Sequence, residues 1–315
     1  MPSPAEILLE RTIRISAERP AWVEAERPGL SALVARISEW PRLLWCWRDL
    51  VVMSVRRDLE ARFRGTLFGF AWVLAHPLLI FAIYAFIFTR LLGVRFAPGG
   101  DAPAATMGVY MFTGTLVWSA FADAVTRSTS CVLDNRNLVQ KVRFPAELLP
   151  LQIGLSSLVT LIAGLAAFWT YCAATSTWQV PGFELLLWAP LLLLLQFLLA
   201  GGLGLALSGL HVLLRDTQQI VGVVLTIWMF ATPIFWVPAR EVLPDIGPWL
   251  PLIEANPLFH LVTLWREVLM GGEPALLFRG DRLDSLLYLA AWSGGLFAFG
   301  SVLFFRVEGH FADEV

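Results

Sequence analysis

Apolar and polar positions divide the chain into a polar front, a series of long apolar runs and a proline-rich stretch that fits neither class. Residues 1–64 are charged, with apolar positions interleaved, and Pro20, Pro28 and Pro41 cut the region into short pieces. After Pro41 the pattern becomes regular. Trp47, Val51, Val55, Leu59 and Phe63 recur every fourth residue as one apolar row, beside a charged row of Arg48, Arg56, Glu60 and Arg64. That spacing predicts an amphipathic helix over residues 42–65. Its basic face, just ahead of an apolar run, points to a helix lying along the cytoplasmic membrane interface; the alternative is a helix packed on a soluble partner.

Apolar runs follow at about 67–92, 107–125, 148–172, 185–214, 220–237 and 286–305. Each can cross roughly 30 Å of hydrocarbon as a helix. The expected fold is therefore an all-α integral membrane protein, with about six transmembrane helices per subunit in residues 66–315. Orientation follows from the basic residues. The N-terminal region is rich in arginine, while Arg136, Lys141 and Arg143 lie between the second and third runs, Arg215 between the fourth and fifth, and Arg306 after the sixth. Residues 175–181, between the third and fourth runs, contain neither lysine nor arginine. With an even number of spans the basic clusters share one side, which places both termini in the cytoplasm.

Residues 238–284 resist this scheme. They are proline-rich, yet carry apolar pieces such as PWLPLI and NPLFHLVTLW that are too short to span. Lipid-exposed irregular backbone is forbidden, so these pieces are expected to form short re-entrant helices in the outer leaflet, shielded by protein. An ordinary extracellular loop with helical turns is the alternative. Asn256-Pro257 predicts a helix start, with asparagine as cap and proline in the first turn.

Composition agrees with lipid as the surrounding medium: 57% of residues are hydrophobic, 15% are charged and mean hydropathy is +0.68. Residues 1–20 hold no apolar run of signal-core length, so the first long run is expected to direct insertion. Cys46, Cys131 and Cys172 are widely spaced and show no CxxC pair, which argues against a disulfide framework or a zinc ribbon. The histidines His76, His211, His260 and His310 form no HExxH motif. Lys141 is the sole lysine, and it lies between Gln140 and Val142 rather than in a Gly-Lys-Ser/Thr context. A P-loop needs that lysine to reach the nucleotide phosphates, so the chain has none. Ala200, Gly204 and Ser208 give the small-xxx-small spacing that lets membrane helices approach closely.

Asp123 and Arg127 stand four apart in the second run, acid first, which puts both on one helix face as a pair. Charge at that depth must be paired, either as a structural ion pair or as a polar patch on a transport route. No series of carboxylates runs along any span, which argues against proton or sodium coupling. Aromatics within the runs, among them Trp72, Tyr84, Phe88, Trp118, Phe121 and Trp228, are candidates to stack on sugar rings in a channel; lipid contact or helix packing is the other reading.

Several segments, in order, resemble the ABC-2-type permeases that export O-antigen, capsule and teichoic acid. RRDLEARFRGTLFGFAWVLAHPLLIFAIYAFIF is similar to the family's arginine-rich helix, Gly-Phe-x-Trp turn and first span. TGTLVWSAFADAVTRSTSCVLDNRNLVQKVRFPAELLP is similar to its second span and the Asn-Leu-Val-x-Lys-x-x-Phe-Pro signature. HVLLRDTQQIVGVVLTIWMFATPIFWVP, NPLFHLVTLWREVLMGG and FADEV resemble the fifth span, the outer gate and the tail. The likeness covers residues 56–315. It leaves residues 1–41 as an N-terminal extension without a family account.

The resemblance implies homodimers of six-span subunits, each docked on a separate ATPase subunit that carries ATP and magnesium; this chain would hold no cofactor and would not be an enzyme. It implies that residues 134–144 form a cytoplasmic coupling helix on the ATPase, with Asn135, Arg136, Leu138, Lys141 and Arg143 in contact. It implies a gate built in residues 238–284, near Pro233, Asn256, Pro257 and Arg266. The implied substrate is a glycan on polyprenyl diphosphate crossing the bacterial inner membrane. Arg56, Arg57, Arg62 and Arg64 could hold its diphosphate bidentately, or equally anchor the helix at lipid headgroups. Two other readings stay open: a permease of this type for a drug or small lipid, and a membrane-embedded enzyme acting on polyprenyl lipids, for which no carboxylate or histidine constellation is found.

Overall fold

A computed structural model of the chain describes residues 36–66, 68–84, 86–87, 105–136, 145–175, 182–238, 244–270 and 282–310. Among these residues the architecture is helical, with no strand. In chain order the helices are α1 (Trp40–Cys46), α2 (Arg48–Phe63), α3 (Trp72–Tyr84), α4 (Ala105–Asp134), α5 (Leu148–Thr175), α6 (Gly182–Leu213), α7 (Thr217–Ala231), α8 (Leu250–Glu254), α9 (Pro257–Met270) and α10 (Arg282–Val307). Every apolar run read from the sequence contains a helix. By length and composition three of them can cross a bilayer: α5 over Leu148–Thr170, α6 and α10. Helix α4 has 30 residues, about 45 Å at 1.5 Å per residue, and carries Asp123, Arg127 and Asp134.

Helix α6 is the central element. It packs against α10, α4, α5, α9 and α7, and its buried positions fall on every side of the helix. Two glycines set its contact with α10. A β-carbon on Gly300 would lie 1.9 Å from the carbonyl oxygen of Gly202, and one on Gly202 would lie 2.5 Å from the Leu296 carbonyl carbon. The two backbones touch, as small residues permit in apolar surroundings. The small-xxx-small row serves the opposite neighbour: a β-carbon on Gly204 would sit 2.8 Å from the Ser128 β-carbon on α4. Ser208 is buried and donates to the Leu205 carbonyl at 3.0 Å.

The stretch predicted as a helix is helical, broken at Trp47 into α1 and α2. Its apolar row faces the chain's own bundle. Trp47, Val51 and Leu59 are buried, and α2 packs against α5. The side away from the bundle carries Val52 and Met53 as well as charge. From α2 the chain turns into α3 through Gly65 and Gly69, whose φ angles of 80° and 50° favour glycine. A 3-10 turn at Gly69–Ala71 then leads into Trp72, the first residue of α3.

Helix α7 leaves a stripe of Ile220, Val223, Val224, Ile227 and Phe230 exposed, and the start of α6 does the same with Phe183, Leu186 and Leu187. Apolar area of this extent needs lipid or another protein surface to cover it.

Candidate functional site

Two arginine clusters stand on α4, roughly 20 Å apart along its axis at 1.5 Å per residue. The first joins α2, α4 and α5. Asp58 and Arg62 on α2 are an acid-first i,i+4 pair, and so are Asp123 and Arg127 on α4. The two pairs close into a ring. Arg62 Nη2 reaches Asp123 Oδ2 at 2.7 Å and Arg62 Nε lies 3.4 Å from Asp58 Oδ2. Arg127 Nη1 lies 3.4 Å from the same Asp123 oxygen, and Arg127 Nη2 meets Asp58 Oδ1. From α5, Ser157 donates to Asp123 at 2.6 Å and Ser156 donates to Asp58. Two cations and two anions sum to zero, and each charge sees two of the opposite sign, which offsets the cost of holding them off water. All four side chains are 23–32% exposed.

A cavity of about 580 Å³ opens beside this ring. Arg62, Asp123 and Ser157 of the ring line it, together with apolar residues that include Trp72, Phe112 and Leu161.

The second cluster surrounds Arg266 on α9, a guanidinium that is 1% exposed. Nε donates to the Tyr110 carbonyl at 3.2 Å, Nη1 to the Pro233 carbonyl at 2.7 Å and Nη2 to the Ile234 carbonyl at 3.2 Å. The guanidinium also sits 3.4 Å over the Tyr110 ring, a cation–π contact. The Tyr110 hydroxyl donates to the carbonyls of Pro233 and Trp236 at 3.2 and 2.9 Å. Space for Nη2 comes from Gly114, where a β-carbon would lie 2.4 Å from it. Among the described residues no carboxylate pairs with Arg266; Glu267 instead pairs with Arg282 at 2.9 Å.

Asn256 completes this region. Its Oδ1 accepts from the backbone N–H of Leu258 at 3.0 Å and from Trp228 Nε1 at 2.8 Å, and its Nδ2 donates to Thr232 Oγ1 at 2.9 Å. Helix α9 starts at Pro257 behind this cap, as the Asn-Pro pair predicts. Arg266, Tyr110 and Asn256 thus hold the Thr232–Trp236 turn from both sides.

The other predicted residues fall as follows. Arg62 is engaged in the ring, Arg56 pairs with Glu60 at 2.8 Å on the surface, and Arg57 and Arg64 are exposed. Trp118, Phe121 and Trp228 meet one another with centroids 5.7–6.5 Å apart. Trp118 and Phe121 are buried in the core by this packing. Trp72 packs edge-on to Phe68 at 5.4 Å and lines the cavity. Asn135 donates to the Cys131 carbonyl at 2.8 Å at the end of α4, and Arg136 is exposed just after it. Leu138, Lys141, Arg143, Phe88 and the side chain of Tyr84 lie outside the described residues. Among the described residues no histidine, cysteine and carboxylate cluster suits a metal ion.

The sequence reading missed Asp58, although its four-residue spacing to Arg62 repeats that of Asp123 and Arg127. It also missed Gly114, because the need for a small residue comes from an arginine 152 positions further along the chain.

Comparison with known proteins decides the family of this helical bundle. The ABC-2 type transporter family profile matches residues 49–270. The chain belongs to the ABC-2 type transporter family. It is therefore a multi-pass membrane protein and a transport subunit rather than an enzyme. Both clusters lie within the matched residues, whereas residues 36–48 and α10 flank them. The chain is 29% identical over 277 residues to the O-antigen export system permease protein RfbA of Myxococcus xanthus, covering 87% of this chain and 98% of that protein. It is 29% identical over 230 residues to a protein of the same name from Klebsiella pneumoniae, covering 71% of this chain and 81% of the relative.

Proposed function

We propose that the chain is the permease subunit of an ABC exporter that moves polyprenyl-diphosphate-linked polysaccharide across the bacterial inner membrane. Family membership over residues 49–270 carries the permease part. The two export permeases, matched over most of their length, support the polysaccharide part. The chain has no P-loop lysine, so ATP is hydrolysed by separate subunits docked on residues 134–144. The working unit is a homodimer of six-span subunits with cytoplasmic termini, in which the exposed apolar stripe of α7 faces lipid or the second subunit. Helices α8 and α9 form the re-entrant outer gate.

Helix α4 suggests how force travels. Its last residue, Asp134, opens the proposed docking segment, its second half carries the ring, and its first half seats Arg266. Gly114 and Asp134 are about 30 Å apart on one continuous helix. Closure of the ATPase dimer pushes the docking segment. The ring makes α2 and α5 move with α4, and the far end of α4 shifts the Thr232–Trp236 turn through Arg266. Only contacts that differ between closed and open states can drive this shift.

Reversing charge at the docking segment tests the function. Arg136→Glu with Lys141→Glu should leave the permease inserted and abolish surface polysaccharide while lipid-linked glycan builds up inside. Normal export by that double variant would refute the docking role.

A further inference from the structure

Outside the family-matched residues the two flanks of the chain meet at one side chain. Arg36 Nη2 lies 3.3 Å from Glu147 Oε1 and 2.8 Å from Glu308 Oε2, and its guanidinium sits 3.9 Å over the Phe305 ring. Its side chain is 9% exposed and that of Glu147 is 6% exposed. Trp40 extends the contact, stacking on Phe305 at 5.9 Å and meeting Phe297 edge-on at 5.5 Å. Three separate parts of the chain are tied here. They are the segment leading into α1, the end of α10 with the 3-10 turn Glu308–His310 that follows it, and the turn that opens α5.

The place of Glu147 gives the tie its meaning. It follows residues 134–144 directly, with only Pro145 and Ala146 between. Its carboxylate is buried, and among the described residues its Oε2 has no hydrogen-bond partner. Holding a carboxylate off water is costly unless an opposite charge stands beside it, and Arg36 supplies that charge. The aromatic face of Phe305 and the second carboxylate fix the guanidinium in orientation as well as in charge.

We infer that Arg36 is a positioning residue for coupling, a brace that holds the exit of the docking segment against the bundle. The inference rests on the permease reading. A push on residues 134–144 can leave at both ends of the segment. At one end it enters α4. At the other, the Arg36 tie keeps the start of α5 from yielding and hands the load to α1, α2 and α10. Without the brace, part of each stroke is lost in movement of the turn at residues 145–147.

The test uses the full chain expressed with its ATPase subunits, and reads three quantities: the amount of purified complex, its ATP hydrolysis, and surface polysaccharide of the same cells per complex. Arg36→Gln should keep the complex and its hydrolysis while export per complex falls about fivefold, the scale on which network residues alter coupling. Arg36→Glu should be worse, and Arg36→Glu combined with Glu308→Arg should recover part of the loss by restoring one pair. If Arg36→Gln is not produced, Arg36→Lys and the swapped pair take its place. A single ammonium cannot serve both carboxylates and the ring, so export per complex falls for Arg36→Lys as well. Parental export per complex in these variants, or a loss that only follows the amount of complex, overturns the brace. A parental chain that captures no ATPase overturns the permease reading itself, and the brace with it.

Discussion

The two arginine clusters on α4 solve one problem in opposite ways. In the ring, Arg62 and Arg127 are answered by Asp58 and Asp123, the sum of charge is zero and all four groups keep some contact with solvent. Around Arg266 the cation is fully buried and answered by three backbone carbonyls and the face of Tyr110. Carboxylate and guanidinium partners that sit on separate helices tie those helices to one another. Carbonyl partners are fixed by the backbone that carries them, so Arg266 is bound to one turn conformation. The ring is built to move as a unit, and the lock is built to hold a shape.

The sharpest way to break the contrast is at Arg266. Arg266→Met removes the donors of three buried carbonyls, each bond to a charged group being worth about 1.5–3 kcal/mol. Thermal unfolding of the purified permease should show the largest loss of any single change considered, with little correctly assembled protein. Gly114→Ala comes next, because its β-carbon would lie 2.4 Å from Nη2. Overpacking of this kind costs about 1–3 kcal/mol, and a lowered melting midpoint with intact membrane insertion is the expected result.

Ring variants should be milder in stability and stronger in function. Asp123→Asn leaves two half-buried guanidinium groups with one carboxylate, at a cost below the roughly 3–5 kcal/mol of a fully buried broken pair. Export should fall more than the melting midpoint does. Exchanging the partners, Asp58→Arg with Arg127→Asp, should restore part of what either single change loses, since one cross-helix pair returns while like charges now face each other along α2 and α4, as a double-mutant cycle on export would show. The smallest effect is expected at Arg56→Gln on the exposed surface, within about 0.5 kcal/mol.

What could be read from the sequence was whatever depends on near neighbours in the chain. Each apolar run marked a helix, and three of those helices are long and apolar enough to cross a bilayer, because such a helix must be apolar over most of its length. Asp123 and Arg127 were legible as a pair because four residues make one helical step. Asn256-Pro257 marked the start of α9 because a cap is local chemistry. The ring as a ring was not legible, since nothing in the spacing of α2 says which face of α4 it meets. The buried row of Trp47, Val51 and Leu59 likewise read as a membrane-surface row, although it packs on α5 and its neighbours. Arg266 was placed in the gate by resemblance, but its carbonyl partners lie in another segment and on another helix.

The central claim is that α4 carries motion from the end near Asp134 to the turn held by Arg266. The direct measurement is a distance between spin labels at exposed Leu252 on α8 and exposed Val223 on α7, in the permease–ATPase complex with and without ATP. The account predicts that ATP shifts this distance in the parental protein, and that Asp123→Asn abolishes the shift while hydrolysis continues. An identical ATP-driven shift in Asp123→Asn would contradict it.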